Sequence, residues 1–159
     1  MMDCKTCNDK CLLSRITGVS RNDFQLSIPI TVRWGDMDAY GHVNNAVFGT
    51  YFETARMKFF EHTRIFDHRE GERHAPAVVS VTINFRQQLH YPAELECGIR
   101  CVKTGTKSFA LEHTIFRACT DEIVADGTTV MAWVDYAEGK AVPLPDGLKA
   151  ALMPGLSAQ

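Results

Sequence analysis

No stretch of this sequence is apolar for the roughly 20 residues that a bilayer-spanning helix requires. Neither sign of charge is in excess: 17 basic side chains stand against 19 acidic ones, for a formal charge of -2. A nucleic-acid or membrane-surface role driven by net charge is therefore not expected. There is no internal repeat and no second block of distinct composition. The segment MMDCKTCNDKCLLSRITG holds no apolar core of signal-peptide length, so a cytoplasmic setting is the expectation. What remains is 159 residues with 45% apolar and 23% charged side chains, enough for one domain with a sizeable core.

Cysteine is too scarce for a disulfide scaffold, and its six copies fall into two groups. Cys97, Cys101 and Cys119 lie in strand-like segments and read as small buried hydrophobes. Cys4, Cys7 and Cys11 form C-x2-C-x3-C, which can offer three thiolates to zinc or to an iron–sulfur cluster. No fourth ligand stands nearby; the next histidine is His42. The expectation is a loose leader over residues 1–22 with free thiols, no metal and no cofactor. A metal completed by a distant or partner-chain ligand is the alternative. His62, His68 and His74 lack metal spacing and read as surface residues.

From Phe24 the chain alternates: Phe24, Leu26, Ile28, Ile30, Val32 and Trp34 are apolar, with Gln25, Ser27, Thr31 and Arg33 among the positions between. Period two predicts a half-buried strand, and Pro29 within it predicts an edge or a bulge. After WGDMDAYGHVNN the period becomes helical. Phe48, Tyr51, Phe52, Ala55 and Phe59, widened by Val47 and Phe60, form one apolar stripe on a helix over Val43–His62. Asn44 or Asn45 is its cap. Gly49 inside such a helix costs roughly 1 kcal/mol relative to alanine, which predicts a close approach there.

Four further alternating runs follow, over 79–86, 94–101, 109–115 and 123–135, with Gly127 read as a bulge. They predict an antiparallel meander, and PLPDGLKAAL predicts a short final helix starting at Pro145 or Asp146. The fold class is α+β: an antiparallel five-stranded sheet wrapped around a long central helix, in one domain over 23–159.

The junction between the first strand and the helix carries the chemistry. Asp36 and Asp38 stand just before Gly41, which permits a left-handed step, and before a helix start with its unpaired N–H groups and positive dipole end. A carboxylate beside such donors suits attack on a carbonyl, above all a thioester. Asp, Gly and Asn also build ordinary turns and caps, and D-x-D alone is a weak motif.

The segment Val32–Arg56, VRWGDMDAYGHVNNAVFGTYFETAR, resembles the hotdog-fold acyl-CoA thioesterases of the 4-hydroxybenzoyl-CoA thioesterase type. Their pattern is aromatic-x-D-x-D-x-x-G-H-V-N-N followed by an aromatic pair and E-x-A-R. Asn84–Arg100, NFRQQLHYPAELECGIR, also resembles the family's strand–turn–strand. The likeness covers residues 24–138 and leaves the cysteine leader out. It implies that Asp38 is the catalytic carboxylate, as nucleophile or general base, and that Asp36 is structural. It implies further that Gly41 sets the turn, that N–H groups near Asn44 and Asn45 polarise the thioester oxygen, and that His42 lines the site. Tyr51, Phe52, Arg86 and His90 are the substrate-binding candidates, with Arg86 and Arg100 also readable as solvated strand arginines. Glu53 and Arg56 read as an ion pair along the helix, with contact to a partner subunit as the alternative. The expected partners are an acyl-CoA substrate and further copies of the chain as a homodimer or homotetramer, with no nucleic acid and no membrane. The rival is a non-catalytic acyl-CoA-binding or sensing hotdog domain. A dehydratase is less favoured, because no further acid–base pair stands in dehydratase spacing.

Overall fold

The computed structural model describes residues 19–69 and 73–153. Its elements are β1 (Leu26–Thr31), α1 (Asn45–His62), β2 (His74–Phe85), β3 (Glu94–Thr104), β4 (Ser108–Arg117), β5 (Ile123–Asp135), β6 (Lys140–Ala141) and α2 (Asp146–Leu152). The leader cysteines Cys4, Cys7 and Cys11 lie outside the described residues.

The five long strands form one antiparallel sheet in the order β1-β3-β4-β5-β2, to which β6 adds a short pairing with β5. The sheet wraps α1, as expected of the hotdog arrangement. The connectivity differs from the expected four-strand meander. Of the five long strands only β3, β4 and β5 are sequential neighbours; β2 lies at the far edge against β5, and β3 pairs with β1. Local alternation says which face a residue takes, not which strand it pairs with, so the swap was invisible to periodicity. Its consequence is that residues 86–93 must cross the end of the sheet from one edge strand toward the other.

The odd-numbered residues of β3, β4 and β5 face α1: Leu95, Cys97, Ile99, Phe109, Leu111, Ile115, Met131 and Trp133 are all buried there. Ile28, Ile30 and Val32 join them from β1, and Phe48, Phe52, Ala55 and Phe59 from the helix. Register shifts at Val78/Ser80, Cys101/Lys103 and Ile115/Phe116 are the irregularities of the long ladders, and such bulges add twist that lets a sheet curl. Gly127 is not one of them. It sits in register opposite Ile83 and His113. A Cβ there would overlap the Thr82 carbonyl oxygen and lie 2.8 Å from the Phe52 ring. The missing side chain at Gly127 leaves room for the Phe52 ring of α1 to lie against the sheet. Gly49, where a close approach was expected, has no atom of another element among the described residues within 4 Å of a would-be Cβ.

The ends of the first alternating run also depart from expectation. Trp34 begins a 3-10 turn, Trp34–Asp36, and is 74% exposed. Phe24 precedes β1 and crosses to the outer face, where its ring covers Gly98 and meets Phe116 edge-on at 6.0 Å. Beside it Arg21 pairs with Glu96 and stacks on Phe116, so the chain from Ser20 to Phe24 lies against the outer face of the sheet. Cys97 and Cys101 are buried as expected, but Cys119 is exposed in a turn with φ 57°. Pro29 is on an edge strand, which tolerates its missing donor. Pro145 caps α2, whose Leu148 and Leu152 close the core.

Candidate active site

Three segments converge at one end of α1: the chain between β1 and α1, the helix start, and the crossing loop 86–93. Asp36 anchors the first. Its side chain is 2% exposed. It accepts from the Tyr51 hydroxyl at 2.7 Å, from the Arg33 backbone N–H at 2.9 Å and from the Arg33 guanidinium at 2.7 and 3.0 Å. Its carbonyl accepts from Asn44 N–H at 2.9 Å. Asp36 thus ties the turn to the middle of α1 and to its cap. Burial alone pulls the carboxyl upward, but the Arg33 bonds and the Tyr51 hydroxyl outweigh it and leave Asp36 below its ordinary value. Burial, then the nearby Asp36 charge, raises Tyr51, which stays a neutral donor.

A charge-assisted hydrogen bond contributes about 1.5–3 kcal/mol, and stranding a buried partner costs more, so Asp36→Asn should cost about 2–4 kcal/mol at pH 7. The sign with pH follows from the lowered pKa. The contribution of Asp36 is complete above the unfolded carboxyl value of about 3.9 and fades as pH falls through the lower folded value. Urea melts of the two proteins should therefore converge toward acid. A constant gap from pH 7 to pH 3 would contradict the charged clamp.

Beyond Asp36 the chain makes a small hairpin. Met37 bridges Val43, Asp38 N–H donates to His42 O at 2.8 Å, and Gly41 N–H donates to Asp38 O at 3.0 Å. Gly41 has φ 78°, the left-handed step foreseen for it. Tyr40 N–H donates to Asp38 Oδ1 at 2.8 Å. This bond fixes one carboxylate oxygen and leaves Oδ2 without a bond to the described residues. Helix α1 follows at once. Asn44 is the cap: its side chain accepts from Ala46 N–H at 2.9 Å and its carbonyl accepts from Val47 N–H at 2.9 Å. The Asn45 N–H, first of the helix, is left over by both bonds.

Asp38, His42 and Asn45 line one cleft of about 570 Å³, with Arg86 on its rim. The structure therefore brings together most of the residues singled out in the motif. Asn44 serves the cap instead of the cleft. Tyr51 and Phe52 do not reach the cleft. Tyr51 is committed to Asp36, and Phe52 stacks on His113 at 4.4 Å in the core. Both lie on the apolar stripe, where periodicity cannot separate core from site. His90 stands behind His42, its Nδ1 2.8 Å from Gly41 O. Arg86 is turned along the outer face by a two-point bond to Asp126. Arg100 pairs with Glu112.

Phe48, Phe85, Gln87, Gln88 and Leu89 line the cleft too, beside Tyr40 and Val43 of the motif, and none of these was foreseen as a site residue. Phe48 and Phe85 meet edge-on at 5.3 Å and form its apolar wall. The only hint in the sequence was the crossing loop itself, whose path depends on the strand order. Also unforeseen is a buried polar pair behind the wall. Arg56, expected first as Glu53's partner and 3.7 Å from it, is buried. Burial first, and then the Arg56 charge, push His113 down to about 3. The imidazole is neutral at neutral pH and shares a 3.1 Å hydrogen bond with the Thr129 hydroxyl.

Comparison with known proteins completes the picture. The model of a family described as the thioesterase-like superfamily matches residues 32–152. The long-chain acyl-CoA thioesterase FadM of Escherichia coli strain K12 is 28% identical over 123 residues, 77% of this chain and 93% of FadM. Among solved structures, the PA2801 protein of Pseudomonas aeruginosa superposes with TM-score 0.72 at 34% identity, over 80% of this chain and 97% of its own. A Thermus thermophilus thioesterase complexed with coenzyme A and Zn superposes with TM-score 0.69 at 28% identity, over 81% and 92% of the two chains.

Proposed function

The chain belongs to the thioesterase-like superfamily, and from that premise we propose that it hydrolyses acyl-CoA thioesters, with Asp38 as the catalytic carboxylate. The observation that carries this reading is the meeting of the Asp38 carboxylate and the Asn45 helix start in one cleft. The motif from Asp36 to Asn45 favours the 4-hydroxybenzoyl-CoA thioesterase type within the superfamily.

Asn45 N–H and the positive end of α1 polarise the thioester carbonyl, where charge develops as the tetrahedral centre forms. Asp38 then acts in one of two ways. As base it takes a proton from water, whose oxygen attacks the carbonyl carbon. As nucleophile it forms a mixed anhydride that water hydrolyses. In either case the C–S bond breaks, the sulfur leaves as the coenzyme A thiolate and is protonated, and the acid departs. Phe48 and Phe85 hold the apolar acyl or aryl group, and Gln87, Gln88 and Arg86 meet the polar carrier at the rim. Neither route uses a metal or a redox cofactor.

The test is a panel of acyl-CoA esters of graded chain length, with one aryl ester, followed by release of free thiol. Turnover of at least one with saturation kinetics is expected. Tight binding of every ester with no turnover would make the chain an acyl-CoA-binding or sensing domain instead.

The assembly follows from the sheet edges. The β1 edge is short and carries Pro29, whereas β2 runs twelve residues and exposes Val78, Val79, Val81 and Phe85. A long apolar edge invites pairing. It adjoins the cleft through Phe85, so a second copy on β2 would complete the site. Light scattering at micromolar concentration should give a dimer or tetramer, and V79K/V81K should shift it to monomer with loss of activity. A wild-type monomer at full specific activity would refute a shared site.

A further inference from the structure

We propose that His90 is a positioning residue: it fixes the tip of the Asp38 turn to the crossing loop so that the carboxylate stays aimed at the cleft. This rests on the reading of Asp38 above.

The turn needs an external tie. Its own bonds, Asp38 N–H to His42 O, Gly41 N–H to Asp38 O and Tyr40 N–H to Asp38 Oδ1, give it shape but do not attach it to the body. Tyr40 is 86% exposed, and a Cβ on Gly41 would meet none of the described residues within 4 Å. Gly41 is also the residue with the freest backbone, since glycine enters left- and right-handed regions with similar ease. At its base the hairpin is held by Val43 N–H donating to Leu89 O at 2.8 Å. At its tip the tie is His90, one residue further along the same loop.

His90 Nδ1 lies 2.8 Å from Gly41 O. A carbonyl only accepts, so Nδ1 carries the proton and donates. The His90 ring also lies against the His42 ring, centroids 4.7 Å apart at 46°. His42 is the residue whose carbonyl receives the Asp38 N–H. One side chain therefore restrains both residues that follow the turn and close it around Asp38. Its Nδ1 is spent on the backbone, and it is not among the residues that line the cleft. Its part is therefore to place Asp38 and not to hold the substrate. A displacement of about 1 Å at a reacting group can cost about a hundredfold in rate, so a tie of this kind has a measurable kinetic effect.

His90 is exposed, so its replacement leaves the core intact, and two variants separate the readings. His90→Phe keeps a ring against His42 and removes the donor. His90→Asn restores an N–H near the position of Nδ1 without the ring. We expect His90→Phe to lower kcat about tenfold with KM within about twofold, His90→Asn to return kcat to within about threefold, and His90→Phe to add no loss on top of Asp38→Asn. The melting temperature of both single variants should stay within about 2 °C of the parent. A rise in KM with kcat kept would make His90 a substrate contact and overturn the proposal. So would unchanged kinetics, or a fall in kcat that tracks a fall in melting temperature and is not rescued by Asn. If Asp38→Asn itself turns over normally, the reading of Asp38 fails first and this one with it. If Asp38→Asn is inactive and His90→Phe is normal, only the present proposal falls.

Discussion

Asp38→Asn should lower kcat at least about a hundredfold while the protein still folds and binds its substrate with KM within about threefold. The substitution keeps size and keeps an oxygen for Tyr40 N–H, so the hairpin loses charge but not shape. What disappears is the group that attacks the carbonyl or deprotonates water, and the amide can do neither. Steady-state kinetics on the best ester of the chain-length panel, beside a thermal melt, measure both halves of the expectation. Near-normal turnover would remove Asp38 from the mechanism. If Asp36→Asn abolished turnover in a folded protein while Asp38→Asn did not, the roles of the two aspartates would be reversed.

Gly127→Ala is the substitution with the largest expected effect on stability. The added methyl would overlap a backbone oxygen, Thr82 O, in the paired strand, and would press on Phe52. A flexible side-chain end could move aside; a carbonyl held in the β2–β5 ladder cannot do so without moving the strand. Overpacking of this kind costs about 3 kcal/mol or more, or roughly 6–12 °C in melting temperature for a domain of this length. Gly49→Ala is the matched contrast. It sits inside α1 with open space around it, so alanine should stabilise the chain by up to about 1 kcal/mol. A melt of Gly127→Ala close to the parent would mean that β2 and β5 do not approach as described.

The helix, the five strands and the Asp38 turn were legible because each rests on a local rule. A period of 3.6 runs from Phe48 to Phe59, a period of two runs through each strand, and Asp, Gly and Asn were needed where Gly41 turns and Asn44 caps. What was not legible depends on partners distant in sequence. Nothing near β2 announces that it pairs with β5, so the path of residues 86–93 and the cleft residues Phe85, Gln87, Gln88 and Leu89 stayed hidden. Tyr51 and Phe52 share the stripe of Phe48, yet only Phe48 reaches the cleft, because the helix leaves the rim after its first turn. His113 looked like one more position in an alternating strand. Its neutral state depends on burial under Phe52 and on Arg56 from another element.

The strand order also sets a sequence of events in time. Hairpins β3–β4 and β4–β5 close over short turns, whereas β2 can join only by pairing Phe85 with Ala125 and His74 with Asp135 around the whole intervening meander. Closing that longer loop carries the greater entropy cost, and it is recovered only once the ladder zips. As an edge strand paired on one side only, β2 is freer to open than β4, which is paired on both sides. In a lone chain its amides should exchange with solvent before those of β4, and assembly on the Val78–Phe85 edge should slow that exchange. A partner on this edge would then act as the latch that keeps the β2–β5 ladder shut.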